Sequence, residues 1–397
     1  MLKKMLRFLQ QALLWLPCWL VTRFQSSPNR QFRRIGLLNM GGLGDYMMFY
    51  PVARAVRLIY PQAELVMISA PNYAAVADLF PEIDEMLLLS KAECALGNLV
   101  QQLRLLELDA LIVNHDFQIP LMTLSLALVA SGIPFRLGCQ RNPLRSACLT
   151  ITQPSHPPAA QHDYMLSIFY TLAQTFARAT GRPIPADPLP LFSRTISDDR
   201  APQNKTLPAD LPAPGGNPRI LIHPGTSKSS KDEHWTKSWP PSCWAALCGQ
   251  LCETHPGATI MLTGGPDDTA EIAAIEQHLR QLPETIQARI HNINGQFPAT
   301  TQLRDLLAAS DLFIGCDSFA MHLALHVNTP TVAIFALTDE RRFLPPSPEN
   351  VAVATVSDLP CRPCVPHQRS TACEHPVCLN VPVETVASKA NALLRAV

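Results

Sequence analysis

The sequence predicts an α/β protein made of two doubly wound domains, and three observations lead to this prediction. Short apolar segments alternate with longer amphipathic ones from Arg33 to about Leu137, which is the pattern of a parallel sheet covered by helices. The same alternation restarts at residue 219, after a polar and proline-rich stretch. Glycine-rich turns follow apolar segments in both halves, at the position where doubly wound sheets bind ligands.

Length and composition are those of a large folded protein. The 397 residues are 47% hydrophobic and 16% charged, which excludes a disordered chain. Lysine plus arginine equals aspartate plus glutamate, at 32 each, so the global charge does not indicate nucleic-acid binding. Most of the 12 cysteines are scattered among apolar residues, which is typical of a reducing, cytoplasmic compartment.

Residues 1–25 are predicted to form an amphipathic segment that associates with a membrane. Lys3, Lys4 and Arg7 precede an apolar run of ten residues, Ala12 to Val21, which contains two tryptophans. A membrane-spanning helix needs roughly 20 apolar residues, and no small-x-small cleavage site follows. We therefore favour a helix that lies in the headgroup region of a bilayer. A signal anchor and a helix that docks on the first domain are the alternatives.

Residues 26–196 are predicted to form the first domain, which opens with a strand, a glycine-rich turn and a helix. The turn reads NMGGLGD, and its glycines lack the G-x-G-x-x-G spacing of a dinucleotide fingerprint. Asp45 falls at or next to the start of the helix, where capping alone explains an aspartate. Bare backbone at Gly42 and Gly44 indicates a second role, since it allows another molecule to approach closely.

The other predicted elements follow in order along both halves. The first domain continues with strands at AELVMIS, EMLLL and DALIVNH, and with helices at NYAAVADLF, ALGNLVQQLRLLEL and IPLMTLSLALVAS. Residues 197–218 are the predicted linker, and residues 219–397 form the second domain. Its strands, with their turns, are predicted at RILIHPG, ATIMLTGG, SDLFIGCDS and TPTVAIFA, and its helices at PSCWAALCGQLCETH, TAEIAAIEQHLRQL and AMHLALHV.

Three loops of the second domain follow predicted strands and carry groups suited to an anion. They combine bare backbone, hydroxyls, lysines and acids that suit ribose hydroxyls. The third leads into a helix, whose free N–H groups and dipole favour a phosphate. Together they predict a site for a nucleotide diphosphate, with these candidate residues: Gly225, Thr226 and Ser227 in the first loop, Gly264, Gly265 and Asp268 in the second, and Asp317 and Ser318 in the third.

Three segments resemble the heptosyltransferases of glycosyltransferase family 9 in order and spacing, and the likeness runs from Arg33 to the C-terminus. The segments are IGLLNMGGLGDYMMFYPVARAVRLIYPQAEL, LIHPGTSKSS with KSWPPSCWAALC, and SDLFIGCDSFAMHLALHVNTPTVAIFALTD. The resemblance implies the GT-B fold: two Rossmann-like domains face each other across a cleft, the first binding the acceptor and the second the nucleotide sugar. It also implies inverting transfer of heptose from ADP-heptose to a lipopolysaccharide core acceptor, either Kdo or heptose.

The same resemblance implies roles for individual residues. Asp45 is the general base beside the acceptor hydroxyl, and Lys237, by the family's Lys-x-Trp-Pro pattern, stabilises the leaving diphosphate. No cofactor is required for catalysis. Because the acceptor is lipid-linked and the donor cytosolic, we expect a cytoplasmic protein, peripheral on the inner face of the cytoplasmic membrane. His322 fits the family, although a histidine on a helix face is more often structural, and Arg141 and Arg145 are candidates for contact with an anionic acceptor.

Two departures from the family pattern concern the donor site. Ser318 is followed by Phe319 where the family usually has glycine, which puts a benzyl group at the mouth of the pyrophosphate site. The first loop is longer than usual, so Lys228 and Lys231 are alternatives to Lys237. The alternative functions are a transferase with another nucleotide sugar or a protein acceptor, an epimerase, and a non-catalytic protein of the same fold.

Four cysteines near the C-terminus have the spacing of a metal site. Cys361, Cys364, Cys373 and Cys378 read C-x2-C-x8-C-x4-C within a cysteine-rich loop, 361–378. The spacing predicts structural zinc or iron, since a site with four sulfur ligands is closed to substrate. A reduced loop and a disulfide formed during purification are the alternatives.

Overall fold

The structure is a computed structural model, and it describes residues 2–25, 31–114, 119–140, 143–154, 165–184, 217–226, 237–344, 350–362 and 376–396. The chain divides into two compact units, Met1–Leu191 and Phe192–Val397, each with its own sheet. The predicted linker, 197–218, lies almost entirely outside the described residues, so the predicted domain boundaries stay predictions.

The first unit contains a parallel sheet of six strands. The strands are β1 (Arg34–Asn39), β2 (Glu64–Ser69), β3 (Glu85–Leu88), β4 (Ala110–Val113), β5 (Phe135–Gln140) and β6 (Ile151–Pro154). They are ordered β3-β2-β1-β4-β5-β6, and Ile35 pairs with Leu65 on one side and with Ala110 on the other. The central strands β1, β2 and β4 are almost wholly buried, as expected where helices cover both faces.

Six helices of the first unit lie in the described part of the chain: α1 (Leu2–Gln25), α2 (Leu43–Ile59), α3 (Leu96–Leu105), α4 (Leu121–Ala130), α5 (Pro143–Ala147) and α6 (Met165–Thr180). Helix α2 follows β1 directly through the glycine-rich turn and packs against α6. It buries every residue from Tyr46 to Ala53, whereas the residues before Tyr46 in its first turn are only half-buried.

Helix α1 docks on the first unit by one face. Cys18 and Thr22 are buried on this face. Cys18 shares a hydrogen bond with Cys148, which lowers the pKa of Cys18, and Arg136 Nη2 donates to Thr22 Oγ1 at 3.1 Å. In the described residues no helix has the length and apolar character to cross a bilayer. The opposite face of α1 leaves large apolar side chains exposed: Leu13, Leu16, Leu20 and Phe24.

The second unit repeats the architecture. Its strands are β7 (Arg219–His223), β8 (Thr259–Leu262), β9 (Ile290–Asn292), β10 (Leu312–Cys316), β11 (Thr331–Ile334) and β12 (Val351–Ala354), all parallel in the order β12-β11-β10-β7-β8-β9. Its helices in the described ranges are α7 (Pro241–Thr254), α8 (Thr269–Leu279), α9 (Glu284–Gln287), α10 (Thr300–Ala308), α11 (Phe319–His326), α12 (Glu340–Phe343) and α13 (Val383–Ala396).

The predicted fold class is confirmed, and one predicted element is wrong. The segment NYAAVADLF was expected to be a helix, but it forms two short 3-10 turns, Pro71–Ala75 and Ala77–Leu79. Prolines bound the segment on both sides, and Tyr73 is buried with its ring 4.9 Å from that of Tyr46. Pro81 ends the segment and the core holds the Tyr73 side chain, and the chain between them makes tight turns rather than a regular helix.

Candidate active site

The candidate residues of the second unit lie on loops at one edge of its sheet. Strands β11, β10, β7 and β8 are neighbours and parallel, so the loops that follow them leave the sheet at the same edge. In doubly wound sheets this is the edge where ligands bind. The structure thereby brings together three predicted residues that are far apart in sequence: Thr226, Gly264 and Asp317.

An ion pair forms the centre of this edge. Lys237 Nζ lies 2.6 Å from Asp317 Oδ2, and the same oxygen accepts a hydrogen bond from Thr338 Oγ1 at 2.8 Å. Asp317 is only 5% exposed, so these two contacts take the place of water at its carboxylate. The backbone next to Lys237 is held by Trp239, which is buried and donates from Nε1 to the Val381 carbonyl at 3.0 Å.

The start of α11 offers hydrogen-bond donors without partners. Ser318 is the N-cap residue, and its Oγ is buried with no hydrogen-bond partner among the described residues. The first N–H groups of a helix have no partner within the helix, and its dipole favours an anion there. Phe319 is the first residue of α11 and is half-buried. A buried hydroxyl and free N–H groups beside Lys237 therefore form a suitable place for a phosphate.

An aromatic ring that the sequence analysis missed lies beside these groups. The ring of Phe343, at the end of α12, is centred 5.8 Å from Lys237 Nζ and 6.4 Å from the ring of His322. His322 is on α11 and is only 7% exposed, and its predicted contact with the nucleotide sugar stays a prediction. Phe343 is half-buried and therefore offers an apolar wall on the side of Lys237.

The hydroxyl groups predicted in the first loop are only partly described. Thr226 Oγ1 lies 3.3 Å from Ser238 Oγ, and Ser238 Oγ donates to Glu271 Oε2 at the same distance. Since Ser238 follows Lys237, this polar group adjoins the ion pair. Ser227, together with the alternative lysines at 228 and 231, lies outside the described residues, so their roles stay predictions.

The side chain of Asp268 explains one glycine of the second loop, Gly264, and one of the first loop, Gly225. Gly265 N donates to Asp268 Oδ2 at 2.8 Å, and an added Cβ would lie 2.1 Å from Asp268 Cγ at Gly225 and 2.8 Å from its Cβ at Gly264. His223 Nε2 is 3.8 Å from the same carboxylate, and burial lowers the pKa of His223, so the ring is neutral at pH 7. Asp268 thus holds the loop together, and ribose binding by its carboxylate stays a prediction.

In the first unit, Asp45 is part of the turn that starts α2. The N-cap is Gly42, so Asp45 lies three residues beyond the cap rather than at or next to it as expected, and its Oδ2 accepts a hydrogen bond from Gly42 N at 2.7 Å, as the acid of a capping box does. A Cβ at Gly41 would lie 2.5 Å from Asp45 Cβ, whereas at Gly42 the nearest atom is 3.5 Å away. Gly42 is exposed, so packing does not require a glycine there, which agrees with close approach by a ligand. The proposed base role and the acceptor contacts of Gly42 and Gly44 stay predictions.

Asn39 supports this turn and was not predicted. It is fully buried at the end of β1, its Oδ1 accepts from Gly41 N at 3.2 Å, and its Nδ2 donates to the Asp45 carbonyl at 3.4 Å. The side chain therefore fixes the turn from the sheet side. Its position as the last residue of an apolar strand was the sequence signal for this role.

The remaining predicted residues are not assembled into a described site. Arg145 is only 2% exposed in α5, which does not support its predicted contact with an acceptor, and Arg141 lies outside the described residues. Cys361 is exposed and Cys378 is buried, whereas the other two cysteines of the loop are outside the described ranges. In the described residues no group of three or more histidines, cysteines, aspartates or glutamates could hold a metal.

Comparison with known proteins identifies relatives over most of the chain. The family described as "Glycosyltransferase family 9 (heptosyltransferase)" matches residues 97–375, which is more than half of the chain. The chain is 27% identical over 188 residues to lipooligosaccharide heptosyltransferase 2 of Campylobacter jejuni, a match that covers 45% of this chain and 54% of that protein. It is 34% identical over 105 residues to lipopolysaccharide heptosyltransferase 3 of Escherichia coli, covering 26% and 28%. The matches thus span about half or less of the length of these curated relatives.

A solved structure matches over nearly the whole chain. It is that of the E. coli ADP-heptose lipopolysaccharide heptosyltransferase II, with a TM-score of 0.65 and 22% identity, covering 91% of this chain and 99% of that one. At this identity the likeness concerns the fold. It agrees with the GT-B fold of two parallel-sheet α/β domains that the sequence predicted.

Proposed function

The chain belongs to glycosyltransferase family 9, and we propose that it is an inverting heptosyltransferase that moves heptose from ADP-heptose to a lipid-linked saccharide of the lipopolysaccharide core, Kdo or heptose. One observation carries the proposal: the ion pair of Lys237 and Asp317 lies beside the buried, unpartnered Oγ of Ser318 at the start of α11. A cation, a hydroxyl and free helix N–H groups together suit a diphosphate. The E. coli relative of the same fold is named for ADP-heptose, and we extend that donor to this chain.

In the proposed reaction, a hydroxyl oxygen of the acceptor attacks the anomeric carbon of the heptose and the bond from that carbon to the diphosphate oxygen breaks. The electron pair of the broken bond leaves with ADP, and the acceptor proton passes to the Asp45 carboxylate. We propose that the bond to the diphosphate is already breaking when the proton moves to this carboxylate.

Lys237 is proposed to stabilise the charge that develops on the leaving diphosphate. An ammonium group has three N–H donors, and the contact with Asp317 uses one of them. The remaining donors, the Ser318 hydroxyl and the first N–H groups of α11 are then available to phosphate oxygens. Asp317, held in turn by Thr338, is proposed to orient Lys237 rather than to touch the donor.

We propose that Arg362 positions Thr338 and, through it, the pair of Asp317 and Lys237. Its Nε donates to the Ala336 carbonyl at 2.7 Å, and its Nη2 donates to the Thr338 carbonyl at 2.9 Å and to Glu340 Oε2 at 2.6 Å. These contacts fix the loop that presents Thr338 to Asp317. The sequence gives no indication of them, since Arg362 lies 24 residues beyond Thr338.

Replacing Arg362 with glutamine is expected to weaken ADP binding about fivefold, because the loss of a positioning hydrogen bond costs about 1 kcal/mol. Arg341→Gln is the matched control. It removes an arginine of α12, the helix that follows this loop; its side chain is about half exposed and pairs with Asp339, and such surface pairs contribute little. Titration calorimetry of ADP on both variants measures the difference. Equal affinities for the two variants would show that Arg362 does not act on the site.

We propose no cofactor for the transfer itself. Zinc or iron at Cys361, Cys364, Cys373 and Cys378 remains a proposal based on their spacing. Metal analysis of the untagged protein and of its Cys361→Ser variant tests this proposal by comparing their zinc and iron contents.

A lipid-linked acceptor makes contact with a bilayer part of the proposal, and α1 supplies a surface for it. Leu16, Leu20 and Phe24 recur every four residues and are 52%, 42% and 88% exposed. An apolar stripe of this kind on a docked helix suits the headgroup region of a membrane. We therefore propose that the protein is cytoplasmic and binds the inner face of the cytoplasmic membrane through this stripe.

The triple variant Leu16→Gln, Leu20→Gln, Phe24→Gln is expected to bind lipid vesicles at least tenfold more weakly than the wild type, since each apolar side chain loses its transfer energy. Its melting temperature should be unchanged, because these side chains are exposed in the folded protein. The control is Leu58→Gln, Leu105→Gln, which removes two other exposed leucines of the first unit. If the two variants cosediment with vesicles equally weakly, α1 is not the membrane contact.

The nucleotide preference tests the donor half of the proposal. We expect ADP to bind more tightly than UDP or GDP in titration calorimetry. The Lys237→Met variant should give a smaller heat of ADP binding than the wild type. Tighter binding of UDP or GDP would contradict the proposed donor and would leave the GT-B fold assignment intact.

A further inference from the structure

A pocket of about 370 Å³ opens between α1, α5 and β6, far in sequence from the loops of the candidate active site. Trp15, Trp19 and Arg23 line it from α1, and Ser146 and Thr152 line it from the body of the first unit. Pro143, Ala147 and Leu149 add apolar surface to the lining, and the last two are buried. The pocket thus combines aromatic faces, hydroxyls and one cation with apolar side chains.

The stripe formed by Trp15, Trp19 and Arg23 is continuous and preorganised. The two indole rings stack, with centroids 6.1 Å apart and planes 12° from parallel. The guanidinium carbon of Arg23 lies 5.3 Å from the centroid of the Trp19 ring. In the described part of the chain no carboxylate pairs with Arg23, so its charge is open to an external anion.

The stripe of Trp15, Trp19 and Arg23 lies between the docked face and the exposed apolar face of α1. Successive residues of a helix are about 100° apart, so residues 15, 19 and 23 form a stripe between two others. On one side is the docked stripe of Cys18 and Thr22, and on the other is the exposed apolar stripe of Leu16, Leu20 and Phe24. The pocket therefore lies along the line where α1 leaves the protein and where, under the membrane proposal, the bilayer surface begins.

We propose that this pocket binds the phosphate-bearing headgroup of an anionic membrane lipid. Arg23 donates to the phosphate oxygens, and the hydroxyls of Ser146 and Thr152 are within the same pocket to bind the polar remainder of the headgroup. The tryptophans lie at the level where their amphipathic rings are favoured in a bilayer. The inference rests on the membrane contact proposed above and adds lipid selectivity to it.

The test compares cosedimentation of the full-length protein with vesicles of phosphatidylcholine alone and with vesicles that also contain phosphatidylglycerol. About 1 M NaCl reduces the screening length to roughly 3 Å, so diffuse attraction between surface charges is suppressed. We expect the wild type to prefer phosphatidylglycerol vesicles about tenfold, as one charged hydrogen-bond pair would give. Arg23→Gln should lose this preference and keep the binding to phosphatidylcholine.

Two further variants distinguish binding of the lipid headgroup in the pocket from general attraction to positive charge on the surface. Thr152→Trp fills the pocket and retains Arg23, and we expect it to lose the preference as Arg23→Gln does. Arg178→Gln removes an exposed arginine of α6 in the same unit and should behave as the wild type. A preference that survives Thr152→Trp, or that falls equally in Arg178→Gln, overturns the inference while the membrane contact stands. Absence of binding to both kinds of vesicle overturns the inference together with the membrane proposal, and heptosyl transfer is tested independently of both.

Discussion

Asp45→Asn is expected to lower the rate of transfer by at least about 10²-fold while leaving the fold and ADP binding unchanged, since a general base typically contributes 10²- to 10⁴-fold. The asparagine side chain retains an oxygen that can accept the hydrogen bond from Gly42 N, now made at 2.7 Å to the carboxylate. It loses only the charge and the ability to take a proton. The variant therefore separates chemistry from the cap.

Asp45→Ala provides the comparison for this result. It removes both the carboxylate and the hydrogen bond from Gly42 N, so it should lose activity as the asparagine variant does and also lose about 1 kcal/mol of stability. If Asp45→Asn keeps more than roughly a tenth of wild-type turnover, Asp45 is a capping residue and not the base. Single-turnover transfer, with thermal unfolding in parallel, measures both effects.

Lys237→Met is expected to weaken ADP binding by roughly 10- to 150-fold, because a hydrogen bond to a charged group contributes about 1.5–3 kcal/mol. The transfer rate should fall as well, because the charge on the leaving diphosphate loses its nearest cation. Methionine keeps much of the side-chain volume and the contact with the ring of Phe343, whose centroid is now 5.8 Å from Nζ. Titration calorimetry and steady-state kinetics report the two effects separately.

Removing Lys237 also leaves the buried Asp317 without its cation, so the control must account for that charge. The double variant Lys237→Met, Asp317→Asn removes both charges of the pair, whose atoms are 2.6 Å apart. It should regain stability and still bind ADP weakly. Lys231→Ala should bind ADP as the wild type does. Loss of binding in Lys231→Ala, with normal binding in Lys237→Met, would identify the other lysine of the loop as the phosphate ligand.

The sequence predicted those parts of the molecule that depend on local patterns. Buried parallel strands are short apolar runs, so β1, β4, β7 and β10 were evident from hydrophobicity alone. Asp45 was correctly expected at a helix start, since capping is a local interaction. The chemistry of the loops supplied Asp317 as a site residue and the resemblance to family members supplied Lys237, although neither specified that the two side chains pair.

The residues that sequence analysis missed act over long separations. Thr338 contacts Asp317 across 21 residues, and Arg362 reaches the Thr338 carbonyl across 24. These contacts exist because parallel strands bring their following loops to one edge of the sheet, which no local pattern encodes. Thr338 could have been found by listing the polar residues that follow each predicted strand. Arg362 follows no strand, so only the folded chain identifies it.

The reason for a glycine also depends on contacts that the sequence does not show. Bare backbone in the turns was interpreted as room for a ligand, and this remains the reading at the exposed Gly42. At Gly225 and Gly264 the structure gives a different reason, because the side chain of Asp268 occupies the space that a Cβ would need. A sequence shows where glycine occurs, but whether a ligand or a neighbouring side chain requires it depends on packing.

The central claim is that the protein transfers heptose from an ADP-linked donor, and a donor screen with the full-length protein tests it most directly. Purified protein is incubated with a deacylated lipopolysaccharide core fragment and, in turn, with ADP-heptose and with UDP- and GDP-linked sugars, and the glycosylated fragment is measured by mass spectrometry. We predict product with ADP-heptose, none above background with the other donors, and loss of product in Asp45→Asn. Transfer from a UDP- or GDP-sugar at a higher rate than from ADP-heptose, or no transfer from any donor by protein that binds ADP, would contradict the account.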